Sequence, residues 1–225
     1  MELARIRTYD RPIDGDARVR TRVKVCGITR VDDALASVRL GADALGFIFW
    51  PHSPRYIAPA MARNIVRSTG PFVSTVGVFV NPSAAEVDDA IRLSGISMLQ
   101  FHGEESAEFC ESFGRPFIKA FKAEGDGDLL KSTAGYGGAE GWLFDSHDEK
   151  LIGGTGRPFD WDRLPEHLAR PLILSGGLSP SNVAEGIRRL RPFAVDVSSG
   201  VEQAKGIKDA AKVAAFIQGV RDAGS

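Results

Sequence analysis

The sequence predicts an α/β protein, a single closed (β/α)8 barrel behind a short N-terminal extension. From Arg22 onward, short apolar runs alternate with amphipathic helical stretches, and strict alternation implies a parallel sheet with right-handed crossovers. The alternation repeats eight times in about 200 residues without a break in composition, which favours a closed barrel over an open doubly wound sheet. No Gly-x-Gly-x-x-Gly turn follows the first strand, so a dinucleotide-binding sheet loses its main support.

The 225 residues are 43% hydrophobic and 25% charged, with a formal net charge of -1, as in an ordinary soluble globular protein. Balanced charge gives no general attraction to nucleic acid or an anionic membrane, leaving a small molecule or a protein as partner. Cys26 and Cys110 are too few for a disulfide framework and lack CxxC spacing. No apolar run approaches the ~18 residues that span a bilayer, and the cytoplasm is the expected location. Residues 1–21 mix Arg5, Arg7, Arg11, Arg18 and Arg20 with Glu2, Asp10, Asp14 and Asp16, without an apolar period. They lack the h-region of a secretory signal, and their acidic residues argue against a transit peptide. They read as a loosely ordered extension or a misplaced start, with the barrel spanning 22–225.

Residues 23–26 form the first expected strand, ended by Gly27, with Thr29 able to cap a helix over 31–40 and Gly41 at its C-cap. A strand over 43–49 leads through the loop from Pro51 to Tyr56 into a helix over 59–68, with proline in its first turn. The third strand, 73–80, is apolar throughout, as barrel strands buried on both faces are. Ser83 and Glu86 then make a capping box. A strand over 97–101, a helix over 104–113, a strand over 117–121 and a weak helix at about 126–132 follow. The sixth strand, 141–145, gives way to a glycine-bearing loop through Gly153-Gly154-Thr155-Gly156 and a short helix near 161–164. A strand over 171–174, a helix over 180–190 capped by Ser179, a strand over 193–197 and a helix over 208–223 complete the chain.

Residues that look odd for a core collect at the C-terminal ends of these strands, where this fold builds active sites. Cys26 ends strand one, Arg55 lies in the loop after strand two, and His102 follows strand four. Asp145 ends strand six, and Asp196 is near the end of strand eight. Period-two alternation puts Lys24 on the same face as Cys26. Cys26 is either a small buried apolar residue or a base whose thiolate a cation favours, Lys24 being the candidate cation. Lys24 also suits a salt bridge inside the barrel with Asp196, and both roles can hold together. His102 is equally a satisfied rim histidine or a substrate contact, whereas His147 and His167 read as surface residues. With His52, the histidines show no HxH or HExxH spacing, so neither a metal site nor a cofactor is expected.

Glycine-rich turns occur at Gly153-Gly154-Thr155-Gly156, Ser175-Gly176-Gly177 and Ser198-Ser199-Gly200. Such turns are ordinary connectors, but the last two fall where this fold holds phosphate, and inward N–H groups there form an anion nest. A phosphate anchor beside Cys26, with Asp145 across the mouth, points to proton transfer of the kind aldose–ketose isomerisation requires.

In order along the chain stand Lys24-Val25-Cys26-Gly27-Ile28-Thr29, Ser53-Pro54-Arg55-Tyr56-Ile57, Gln100-Phe101-His102-Gly103 and Phe144-Asp145-Ser146. They are followed by Gly153-Gly154-Thr155-Gly156 with Phe159-Asp160-Trp161, Ser175-Gly176-Gly177-Leu178 and Asp196-Val197-Ser198-Ser199-Gly200-Val201-Glu202. Together, from about Arg22 to the end, they resemble the phosphoribosylanthranilate isomerase family of tryptophan biosynthesis. The resemblance implies a TIM barrel that converts N-(5-phosphoribosyl)anthranilate to 1-(2-carboxyphenylamino)-1-deoxyribulose 5-phosphate by an Amadori rearrangement, without a cofactor. It implies Asp145 as the general acid on the ribose ring oxygen and Cys26 as the general base on the C2 proton. Arg55 would pair with the anthranilate carboxylate, for which a guanidinium fork is suited. Gly156, Gly177, Ser199 and Gly200 would hold the phosphate, with Lys24, His102 and Asp196 near the substrate. Phe101 stands where leucine is commoner in the family, and Ser175 where alanine is. The partner implied is a small phosphosugar, bound by a monomer or homodimer.

Two rivals have other signatures. The histidine-pathway aminoaldose isomerase resembles a pair of aspartates as acid and base, whereas Cys26 with Arg55 favours the anthranilate substrate. A catalytically dead barrel kept as a binding or assembly module has no use for Cys26 and Asp145 together.

Overall fold

The computed structural model describes residues 20–122, 129–145 and 168–224. Its parallel strands close into an eight-stranded barrel in chain order: β1 (Arg22–Cys26), β2 (Ala44–Ile48), β3 (Ser74–Phe79), β4 (Met98–Phe101), β5 (Phe117–Lys122), β6 (Gly141–Asp145), β7 (Leu172–Ser175) and β8 (Ala194–Val197). Around it lie α1 (Val31–Leu40), α2 (Pro59–Ser68), α3 (Ala84–Ser94), α4 (Ala107–Glu111), α5 (Leu129–Thr133), α6 (Val183–Leu190) and α7 (Ala210–Ala223). The glycine loop at 153–156, the short helix near 161–164 and most of the extension, 1–19, lie outside the described residues, as do His147 and His167.

Alternation along each strand divides the apolar residues between two cores. Val25, Leu45, Phe47, Leu99, Phe101 and Phe144 belong to the larger one, between sheet and helices. Ile118, Ala120, Leu143, Ile173 and Ala194 fill the barrel's interior. Closure comes from β1 pairing in parallel with β8, in a register that sets Lys24 beside Asp196. The segment before β1 is tied to the approaches of both neighbouring strands as well. Arg20 donates to both carboxylate oxygens of Asp43, and the buried Thr21 hydroxyl donates to the Pro192 carbonyl at 3.2 Å. Arg20, Thr21, Arg221 and Gly224 line one cavity of about 270 Å³, so the two ends of the barrel meet.

Most elements lie within two residues of expectation, and a specific contact accounts for each exception. Thr29 does not cap α1; its hydroxyl donates to the Gly206 carbonyl, and Arg30 is the N-cap, without a side-chain cap bond. The helix expected over 104–113 is shortened to α4 because Glu105 turns inward to bind main-chain N–H groups, leaving Ser106 as the cap. The helix expected from Pro180 starts at Val183. Before it, the Asn182 amide accepts from Ser179 N–H and donates to the Gly177 carbonyl, so Ser179 belongs to a turn. Residue 208, expected to open the last helix, instead ends a hairpin of β9 (Glu202–Ala204) and β10 (Ile207–Lys208), and Asp209 caps α7.

The capping box at α3 forms as expected: Ser83 Oγ accepts from Glu86 N–H, and the Glu86 carboxylate accepts from Ser83 N–H. Ser83→Ala is expected to cost about 1 kcal/mol of unfolding free energy, read as a lower urea midpoint at unchanged slope.

Candidate active site

Lys24, Cys26, Gln100, His102, Asp145 and Asp196 share the inward parity of their strands and gather at the C-terminal half of the barrel. The site starts from a backbone requirement. Cys26 pairs with Gly46, where a Cβ would lie 2.6 Å from the Cys26 sulfur, so only glycine leaves the thiol its place. Gly27, at φ +77°, ends the strand in the left-handed region, and a Cβ there would lie 2.7 Å from Cδ of Arg55. Both glycines make room for side chains that the sequence marks as functional.

Lys24 Nζ donates to both oxygens of Asp196 at 3.0 Å, and both side chains are buried. Burial pulls the Lys24 pKa down, but the charges of Asp196 and Cys26 more than offset it and leave it raised. Cys26 goes the other way from the expected thiolate. Burial pushes its thiol above the ordinary value, and the opposing pull of Lys24 and Lys208 does not overcome it, partly because Asp196 adds a repulsive charge. The salt bridge expected of Lys24 is present, and its pull on the Cys26 thiol is outweighed by burial.

Arg55 forms a bidentate pair with Glu202, Nε to Oε1 at 2.8 Å and Nη2 to Oε2 at 2.7 Å. Lys208 Nζ joins the same carboxylate at 2.9 Å and donates to the Ser198 carbonyl at 3.1 Å. Burial raises the pKa of Glu202, yet its hydrogen bonds to Arg55 and Lys208 leave it lowered; Lys208 is lowered, burial outweighing Glu202. In the sequence Glu202 stands out only as the last residue of a motif, without a role, and Lys208 only as the start of a helix. They tie the loops after β2 and β8 together beneath Cys26.

His102 Nε2 lies 3.2 Å from Oδ2 of Asp145, and its Nδ1 lies 3.0 Å from Nε2 of Gln100. On the other side of the sheet, Lys119 Nζ reaches the carbonyls flanking His102, Phe101 at 3.4 Å and Gly103 at 2.6 Å, and the Glu105 carboxylate at 3.1 Å. Glu105 in turn accepts from Gly103 N–H and Asn81 N–H. A lysine inside the apolar run Phe117–Phe121 was the available signal for this brace. Beside it, a cavity of about 320 Å³ is lined by His102, Gly103, Glu104, Lys119, Lys122 and Tyr136, among others.

Of the expected phosphate residues, Gly156 lies outside the described residues. Gly177 is at φ +61°, and Ser199 and Gly200 lie in a 3-10 turn whose Gly200 packs on the Leu178 carbonyl, where any Cβ would collide. The loops after β7 and β8 are therefore in direct contact. Among the described residues, no group of three or more His, Cys, Asp or Glu is arranged to hold a metal ion.

Residues 23–219 match the family model of N-(5'-phosphoribosyl)anthranilate (PRA) isomerase. The chain belongs to this family. An N-(5'-phosphoribosyl)anthranilate isomerase from Nitrosospira multiformis is 57% identical over 199 residues, covering 88% of this chain and 96% of the relative. The phosphoribosyl anthranilate isomerase structure from Thermotoga maritima superposes with a TM-score of 0.80 at 42% identity, covering 90% and 99% of the two chains. A phosphoribosyl anthranilate isomerase in complex with reduced 1-(o-carboxyphenylamino)-1-deoxyribulose 5-phosphate matches at TM-score 0.77 and 40% identity, with the same coverage. The match runs over the whole barrel, from β1 into α7.

Two outcomes follow from the geometry. At neutral pH, iodoacetamide should alkylate Cys26 of the ligand-free protein more slowly than a small-molecule thiol, with a rate that keeps rising above the ordinary thiol range; Cys110, pushed up to about 12 by burial, should stay inert alongside it. Lys119→Met strands the Glu105 carboxylate and should lower unfolding free energy by about 3–5 kcal/mol in urea titration, with the Lys119→Met, Glu105→Gln pair costing less than the sum.

Proposed function

We propose that the chain isomerises N-(5-phosphoribosyl)anthranilate to 1-(2-carboxyphenylamino)-1-deoxyribulose 5-phosphate, with Asp145 as general acid and Cys26 as general base. The observation that carries the reading is the matched family model over nearly the whole barrel, joined to a cysteine and an aspartate at the inner C-terminal ends of β1 and β6. Asp145 gives a proton to the ribose ring oxygen. The C1–O bond breaks with its electrons on oxygen, and the anilino nitrogen pair forms the C=N bond of a Schiff base. The Cys26 thiolate takes the C2 proton, and the C–H electrons form a C1=C2 bond that neutralises the nitrogen. The enolamine then moves its hydroxyl proton to C1 and becomes the ketone. No atom is gained or lost, and the cycle closes when one proton returns to Asp145 and one leaves Cys26.

The raised thiol suits this order. A base with a higher pKa removes a carbon-bound proton more strongly once ionised, and the cationic Schiff base beside it favours the thiolate at the moment it is needed. Arg55 keeps Nε and Nη2 on Glu202 and turns Nη1 to the anthranilate carboxylate. Lys24 and Asp196 hold the sugar side of the mouth, and Gly156, Gly177, Ser199 and Gly200 receive the phosphate. The protein acts in the cytoplasm on this small phosphosugar as a monomer or homodimer.

Loss of the substrate's fluorescence, with spontaneous breakdown to anthranilate subtracted, measures the activity. Cys26→Ala and Asp145→Ala are each expected to lower kcat at least about 100-fold with folding intact by circular dichroism. A folded wild type that turns over neither this substrate nor the histidine-pathway aminoaldose sinks the reading.

A further inference from the structure

The contact between His102 and Asp145 carries a further step, which rests on the isomerase reading of Asp145. Gln100, His102 and Asp145 stand in line on the inner face of β4 and β6. An amide nitrogen can only donate, so with Gln100 Nε2 facing it, Nδ1 of His102 accepts and the ring proton sits on Nε2, directed at the Asp145 carboxylate. In that arrangement the pair has no acid proton to give. It is the discharged form of a general acid. The other end of the amide supplies the alternative: Gln100 Oε1 is buried without a hydrogen-bond partner, so only the ring fixes which way the amide faces. A half turn of the amide sets Oε1 against Nδ1, and an acceptor there requires Nδ1–H. With the Nε2 proton kept, the ring carries protons on both nitrogens, and the one on Nε2 lies on the 3.2 Å line to Asp145.

We propose that the acid proton is held by the His102–Asp145 pair rather than by Asp145 alone, with the Gln100 amide turning to match the charged and discharged states. His102 is a positioning residue in this scheme: it acts on substrate only through Asp145. Charging adds one proton from water at Nδ1. In the acid step the Nε2 proton passes to the Asp145 carboxylate, which delivers that proton to the ribose ring oxygen; the ring is left with its proton on Nδ1, and exchange with water returns it to Nε2 as the amide turns back. The C2 proton that Cys26 takes leaves to water, so the protein's proton count is unchanged over a cycle. The brace on the far side of the sheet serves the same end, because Lys119 grips the main chain on both sides of His102.

Among the described residues, charged and titratable groups around the pair include Lys119 and Lys122 on β5, Glu104 and Glu105 in the loop after β4, Tyr136 beside the cavity, and Lys24, Cys26 and Asp196 across the barrel. The test separates proton holding from hydrogen bonding. His102→Gln keeps an amide N–H able to reach Asp145 but cannot take up a proton. It is expected to lower kcat about 100-fold with KM within about threefold, and to alter the acid limb of the kcat profile. Wild-type kcat and profile in His102→Gln overturn the proposal. Independently of turnover, NMR of ligand-free protein labelled at histidine ring nitrogens and aspartate carboxyl carbons follows the pair itself. On acidification, the His102 and Asp145 signals should change together, and Asp145→Asn should alter the ring's response. An Asp145 signal that changes while His102 stands still, with the ring indifferent to Asp145→Asn, overturns it. Absence of turnover by wild type counts against the isomerase reading alone, and the NMR result still decides the pair.

Discussion

The barrel depends on how its last strand meets its first, and at that seam a lysine lies beside an aspartate. Lys24 and Asp196 are both buried, and neither charge is tolerable there without the other. Their pairing requires the β1–β8 register found here, because a slip of β1 by one residue would turn Lys24 out into the apolar layer beneath the helices and leave Asp196 inside without it. Everything at the mouth inherits that register. Cys26 is two residues along from Lys24, and its sulfur fits only because the residue opposite it on β2 is Gly46.

A second buried pair, Lys119 with Glu105, works from the outer face of the sheet. Its role is different: it satisfies main-chain groups of the loops after β3 and β4, which would otherwise be buried without partners. The inner face thus holds charges that can meet substrate, and the outer face holds charges that shape the backbone. Glu202 combines both duties, since it binds Arg55 from one loop and Lys208 from its own hairpin.

The barrel was legible because its signals are local and repeated. Alternation, caps at Ser83 and Gly41, and proline at the start of α2 each need only a few residues, and the structure reproduces them. The inward-facing parity of Lys24 and Cys26 followed from the same period. What was illegible depends on partners far apart in sequence. Glu105 belongs by pattern to a helix, and only a lysine fourteen positions later, folded beneath it, pulls it out. Thr29 has the chemistry of a cap but meets the Gly206 carbonyl, 177 positions away. The thiol of Cys26 could not be weighed either, since burial, Lys24, Asp196 and Lys208 act on it from three separate segments.

The meeting of the two ends around one cavity, from Arg20 and Thr21 to Arg221 and Gly224, has a topological consequence. A ring of strands has no intrinsic first member, and here the segment before β1 and the end of α7 meet at the face opposite the mouth. A peptide joining these segments and a new opening in a different αβ connection would leave every strand pairing and every βα loop whole. The order in which the ribosome delivers the eight units is therefore separable from the wall they build.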